Sequence, residues 1–230
     1  DKLLQIYVTK LNAYLCIFVD EGLGGAANNS QLQKSVCCIT DEFSAVSCLE
    51  TIKQGFEVKL LICYETREDV IHLVKIMDKI LPRLLRSEVE LEFHKISKFG
   101  KKSDDILSKN SLITDILINS AKEKKISHIS LTTSPLIFPS TYVETLQRRV
   151  FGAGMIPHIS LSGIDSEIMK NAREIGMEKY VSKIEKLLRT NFTKSKPKLN
   201  KKEKTTKKII KVRLGPNNVH TILDSLEIEH

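Results

Sequence analysis

No stretch of this sequence stays apolar for the ~20 residues that a helical membrane span requires. The opening residues, DKLLQIYVTK, lack the apolar core and small-residue cleavage pattern of a secretory signal. The expectation is a cytoplasmic protein with no membrane partner. A C-x-x-C pair is also missing. The five cysteines (Cys16, Cys37, Cys38, Cys48, Cys63) are scattered, several of them on apolar runs. That pattern reads as buried free thiols in a reducing compartment rather than disulfides or metal ligands. The six histidines, at positions 72, 94, 128, 158, 220 and 230, show no ligand spacing, and no catalytic triad assembles from them. The stretch GLGG at 22–25 is not a dinucleotide fingerprint and reads as a hinge.

Balanced charge is lacking too, but in one place only. The chain carries +8. Residues 194–213, KSKPKLNKKEKTTKKIIKVR, hold nine lysines, one arginine and one glutamate, leaving the remainder near −1. Such a run attracts phosphate backbones by counterion release. No aromatic residue interleaves it, so a solvated linker accounts for it equally well. The candidate RNA-binding cations are Lys194, Lys196, Lys198, Lys201, Lys202, Lys204, Lys207, Lys208, Lys211 and Arg213.

What is present is an alternation. Residues 1–30 offer two strand-like stretches, LQIYVTK and YLCIFVD, then a Gly/Asn-rich linker. From Lys34 the chain alternates: strand SVCCIT, helix SAVSCLETIKQG closing on Gly55, strand FEVKLLICY, and one helix over 66–85 capped by Thr66. Strand EVELEFHKI, helix SLITDILINSAKEKK, strand ISHISLTTS and helix STYVETLQRRVFGAG follow. IPHISLSG is strand or loop, and DSEIMKNAREIG a last helix. The pattern predicts an α/β protein: a doubly wound, mainly parallel, Rossmann-like sheet with helices on both faces. The expected divisions are residues 1–30, an α/β domain over 31–192, and a basic tail over 193–230 with an isolated-looking strand, IIKVRL, and a short helix, for which docking back on the body is left open.

Ligands of such sheets sit where the loops after the strands converge. The loop after the first domain strand reads ITDEFS, Ile39–Ser44. SGIDS at 162–166 looks glycine-grip-like, but helix capping explains it better.

LNAYLCIFVDEGLGG, then KSVCCITDEFSAVSCLETIKQGFEV, then AREIGMEKY resemble, in order, the domain join and catalytic domain of the tRNA 4-thiouridine synthetase (tRNA sulfurtransferase) family. SLTTSPLIFPSTYVETLQRR resembles that family's nucleotide-closing loop and helix. The resemblance spans roughly residues 10 to 198. It implies the end of an RNA-binding THUMP unit, then a PP-loop, adenine-nucleotide alpha-hydrolase-like domain that thiolates tRNA using ATP and magnesium.

The chain departs from the family where the chemistry lies. The family signature S-G-G-x-D-S falls on Ile39–Ser44, and only Ser44 survives. Thr40, Asp41 and Glu42 stand at or beside the glycines whose small size lets main-chain N–H groups wrap a phosphate. Each carboxylate at contact distance would repel a phosphate by about 1 kcal/mol in water and about 4 at an effective dielectric of 20. A magnesium ion could reverse that sign; the alternative for the acids is to complement, as negative charge at its N-terminus, the dipole of the following helix. In the closing loop Thr132 is kept, but Thr133 replaces glycine and Pro135 and Pro139 stiffen the segment. No cysteine follows the Ile-Gly helix where the family places its sulfur carrier. The reading is a catalytically degenerate relative with no cofactor, binding RNA (most plausibly tRNA) or a tRNA-modification protein. The alternative is an active ATP-dependent enzyme that adenylates RNA.

Overall fold

The computed structural model describes residues 5–11, 13–16, 25–27, 29–84, 86–100, 103–135, 137–162, 169–170, 172–173, 176 and 205–228. A six-stranded sheet organises them. Its strands are β3 (Lys34–Ile39), β4 (Glu57–Tyr64), β5 (Glu88–Lys95), β6 (His128–Ser130), β7 (Ile156–His158) and β8 (Thr206–Arg213), in the spatial order β7-β6-β3-β4-β5-β8. All pairs are parallel except β5 with β8. Two short strands, β1 (Gln5–Val8) and β2 (Ala13–Cys16), pair only with each other, antiparallel, among the described residues.

The middle strands read as unbroken apolar runs because both their faces are covered. Val36, Cys37, Cys38 and Ile39 of β3 and Leu60 to Cys63 of β4 are almost wholly buried. Helices α1 (Glu42–Lys53) and α2 (Arg67–Met77) connect β3, β4 and β5 on one face. The chain then returns through α3 (Ser103–Lys124) to place β6 on the other side of β3, and α4 (Ser140–Gly152) leads on to β7. Right-handed crossovers put α3 and α4, which touch each other, on the opposite face. The strand order therefore reverses between β3 and β6, and the loops after those two strands meet there. The doubly wound α/β fold expected from the sequence is the fold observed.

Several boundaries differ from the expected ones. The helix over 66–85 ends at Met77, and Leu81–Leu84 form a 3₁₀ turn containing Pro82, whose ring supplies no N–H to continue the ladder. Helix α3 starts at Ser103, eight residues before the expected start. Its first two turns bury Leu107 alone completely, which dilutes the apolar period. Helix α1 has residues 42 to 52 all buried, not one apolar stripe. Its polar side chains are matched inside. The Ser47 hydroxyl lies 2.6 Å from that of Ser160, and the Thr51 hydroxyl 2.9 Å from that of Ser130.

The linker is not a free hinge where it is described. The Ala26 N–H donates to the Lys53 carbonyl, capping the end of α1, and a Cβ on Gly25 would stand 2.5 Å from that same oxygen. Gly55, at φ +90, turns the chain out of α1 with Ser30 Oγ 2.3 Å from where its Cβ would be. Close approach, not flexibility, demands both glycines.

The basic tail needs a larger correction. Thr206–Arg213 is not an isolated strand but the sheet's edge, paired with β5 along its whole length. Helix α5 (Asn218–Ser225) follows and packs against α2, burying Ile222 and Leu223. Asn218 ties it down: its amide donates to Asp78, and its carbonyl oxygen accepts from the Gly215 N–H. Lys194, Lys196, Lys198, Lys201, Lys202 and Lys204 lie outside the described residues, as does most of the predicted last helix and residues 163–166 of SGIDS.

Candidate functional site

The loop at the mouth of β3 closes on itself. Asp41 is the N-cap of α1, in extended backbone, and its carboxylate accepts the Ser44 N–H at 2.8 Å. Ser44 returns the contact. Its hydroxyl accepts the N–H of Thr40 at 2.8 Å and that of Asp41 at 3.0 Å, and donates to the Asp41 carbonyl at 2.8 Å. This is a reciprocal capping box. Three main-chain donors that point toward a phosphate in a glycine-rich loop are spent on the chain's own side chains. Glu42, at the first helical position, turns its carboxylate toward the His72 imidazole of α2, 2.9 Å away. Both acids also sit where the positive end of the helix dipole favours them.

The loop after β6, which meets the β3 loop at the reversal point, is equally occupied. Thr133 is buried with its hydroxyl unpartnered among the described residues, and Thr132 is half-buried. The N–H groups of Ile137 and Phe138 both donate to the Ser134 carbonyl. Ile137 and Phe138 are buried, and Phe138 lies 6.2 Å from the Tyr142 ring. Two apolar anchors fix this loop into the core, and Pro139 starts α4 without a side-chain cap. The structure brings Thr40, Asp41, Glu42 and Ser44 together as one capped helix start. Thr132 and Thr133 belong to the neighbouring loop, and no hydrogen bond joins the two groups among the described residues.

A feature that the sequence reading missed lies on the other side of Thr40. A cleft of about 300 Å³ opens above the ends of β3, β4 and β5. Thr40, Cys63 and Tyr64 line it, with Glu65, Phe99 and Lys109 at its polar side. Glu65 is already engaged there: Lys109 Nζ stands 2.6 Å from one oxygen, and the Phe99 N–H donates to the other at 3.0 Å. The spacing of these residues, 69 positions from Thr40 to Lys109, gives no local signal. Only the parallel register gathers them.

The cysteines behave as small core groups. Cys37, Cys38, Cys48 and Cys63 are buried and free, and burial pushes the Cys38 thiol up, away from a reactive thiolate. The Cys38 thiol donates to Cys63 Sγ at 3.4 Å, and no disulfide joins them. No cluster of metal-ligating side chains forms among the described residues.

Of the predicted RNA-binding cations within the structure, Lys207 is committed to the buried Glu92 at 3.2 Å and to Glu123, and Lys208 to Glu227 at 3.3 Å. Lys211 and Arg213 are exposed and have no ion pair among the described residues.

No family model matches the sequence, and no curated protein matches it. Solved structures do. The chain aligns with a 4-thiouridine synthetase–RNA complex with bound ATP at a TM-score of 0.56 and 16% identity, over 91% of this chain and 63% of that one. It aligns with PH1313 from Pyrococcus horikoshii Ot3 at a TM-score of 0.52 and 15% identity, over 75% of this chain and 50% of the other. The chain thus spans between half and two thirds of the length of these structures. At such identities the likeness is one of fold, and at that level the resemblance read from the sequence is met: this α/β sheet is arranged as in a 4-thiouridine synthetase.

Proposed function

We propose that this chain is a degenerate relative of the tRNA sulfurtransferases, which binds RNA, tRNA by preference, and does not carry out ATP-dependent thiolation. One observation supports this reading above the rest. Three main-chain donors of the β3–α1 loop, those of Thr40, Asp41 and Ser44, are satisfied by the Ser44 and Asp41 side chains. To seat a triphosphate there, the loop would have to break these bonds, expel a saturated hydroxyl and hold an anion against a carboxylate. Lost hydrogen bonds of this kind cost about 1 kcal/mol each, and the charge term adds to them. A micromolar site is worth only about 8 kcal/mol in all. The absence of a cysteine after the AREIG segment agrees with the loss of sulfur transfer. The lysine-rich segment and the fold likeness to a 4-thiouridine synthetase–RNA complex support RNA as the partner; a tRNA-modification protein is the second partner in this reading.

The cleft beside Thr40 favours the rival, an active ATP-dependent enzyme, because its volume is at the lower limit of small-molecule sites. The two are separated by mixing the protein with magnesium-ATP and tRNA. The proposed function expects tRNA binding that weakens with salt, with no thermal shift from magnesium-ATP and no pyrophosphate release. A saturable ATP response with pyrophosphate release would replace it with the enzyme.

A further inference from the structure

On the sheet face covered in part by α3, the cross-strand register sets charged side chains in rows. Glu90 stands opposite Lys211 on one side and, extending the β4–β5 register, opposite Lys59 on the other. Glu88 stands opposite Arg213 in the next row. These rows are not balanced. Glu57 is ringed by Lys34 at 3.9 Å, Lys59 at 3.6 Å and Arg86 at 2.7 Å. Lys124 of α3 reaches Glu90 at 2.7 Å and Glu92 at 3.0 Å, and Lys207 reaches Glu92 at 3.2 Å. Five cations thus contact three carboxylates, while Lys211 stands across the ladder from Glu90 without ion-pair contact. Arg213 opposite Glu88 and Lys207 with Glu123 leave the face with seven cations against five acids.

The distribution matters more than the sum. The paired acids hold the inner cations in place, while the surplus lies at the edge, on Lys211 and Arg213. Between them and Lys207, on the same face, Ile209 is 46% exposed. A partner made of regularly spaced anions can use such exposed cations, neither of them in ion-pair contact among the described residues, without stripping a closer pair. We propose that this sheet face, centred on Lys211 and Arg213 of β8, is a docking surface for the phosphate backbone of RNA. The proposal rests on the RNA reading given above and adds the place where the RNA lies. It also separates two contributions the sequence merges, since β8 is part of the folded sheet.

The test uses the full chain, bulk tRNA carrying a fluorescent label, and titrations at several salt concentrations. The double variant Lys211→Ala/Arg213→Ala is expected to bind about tenfold more weakly near 0.1 M salt. The slope of log affinity against log salt should become shallower by about 2, one for each phosphate contact removed. Thermal melting should be little changed, because both side chains are exposed and cross-strand charges outside ion-pair contact contribute little. The exchange Lys211→Arg/Arg213→Lys, which preserves charge, should retain affinity and slope. Wild-type binding with an unaltered slope in the double variant would overturn this inference and leave the RNA reading standing. No binding of tRNA by the wild-type chain would overturn both. A double variant that loses a protein partner but keeps tRNA would reassign the face to that partner.

Discussion

Ser44 decides the chemistry of the β3–α1 loop through one oxygen. That oxygen accepts two N–H groups and donates to a carbonyl, so its bonding capacity is used within four residues of chain. Ser44→Ala would leave the Thr40 and Asp41 N–H groups partly buried and unpartnered, a loss of about 2 kcal/mol. Asp41→Ala removes the N-cap acceptor and should cost about 1 kcal/mol. In a chain of this size, melting is expected to fall by about 4–8 °C and about 2–4 °C respectively, measured by calorimetry. Equal melting of wild type and Ser44→Ala would show that the hydroxyl does not close the loop. At this scale the sequence was informative. The missing glycines and the acids at Asp41 and Glu42 announced an altered loop; the acids were read as charge at the helix N-terminus, and the structure adds that Asp41 is the N-cap itself. That Ser44 itself fills the space between the donors was not legible, because a serine at the third helical position has the same letter in an open and in a closed loop.

Strand β8 is the element whose meaning changed most. Its lysines read as a tail, yet its alternate residues Ile210 and Val212 are buried against the core. The i, i+2 spacing of these two was visible in IIKVR but hidden by the charge around it. Beyond its ladder with β5, the strand is tied to the buried Glu92, which Lys207 reaches at 3.2 Å. Burial opposes its charge, but hydrogen bonds from His94, Lys124 and Ser120 hold its carboxyl down at about 2, from an ordinary 4.5. A lowered folded-state value means stability that is present above the ordinary carboxylate range and is lost as pH falls toward about 2. The shift corresponds to about 3 kcal/mol at neutral pH. Melting should therefore decline between about pH 5 and 2, and Glu92→Gln should flatten that decline while lowering stability at pH 7. An acid limb unchanged in Glu92→Gln would assign the effect to other carboxylates. Pairing a lysine-rich strand at the edge also discourages another chain from adding to the sheet.

For the molecule as a whole, residues 205–228 complete the sheet rather than trail from it. Removing them would expose the edge of β5 and the surface of α2 that Ile222 and Leu223 cover. A chain stopped after residue 204 is expected to melt at lower temperature and to associate at micromolar concentration, seen by light scattering. A monomer with unaltered melting would mean that β8 and α5 are dispensable. The same topology warns against testing RNA binding by deleting residues 194–213, since that cut removes an entire strand. Replacing Lys194 to Lys204 by alanine at the six lysine positions keeps β8 and isolates the contribution of the segment before it.

The sequence by itself determined the alternation of strands and helices, the apolar central strands, and hence a doubly wound sheet, because burial on both faces and right-handed crossovers leave few other arrangements. It also determined that the loop after the first domain strand carries acids and no glycine. Only the tertiary structure decided what took their place, where the last strand goes and which cations remain unpaired. Those outcomes depend on contacts between residues far apart in the chain, such as Lys207 with Glu92 and Lys109 with Glu65, and no local period encodes a partner at that distance.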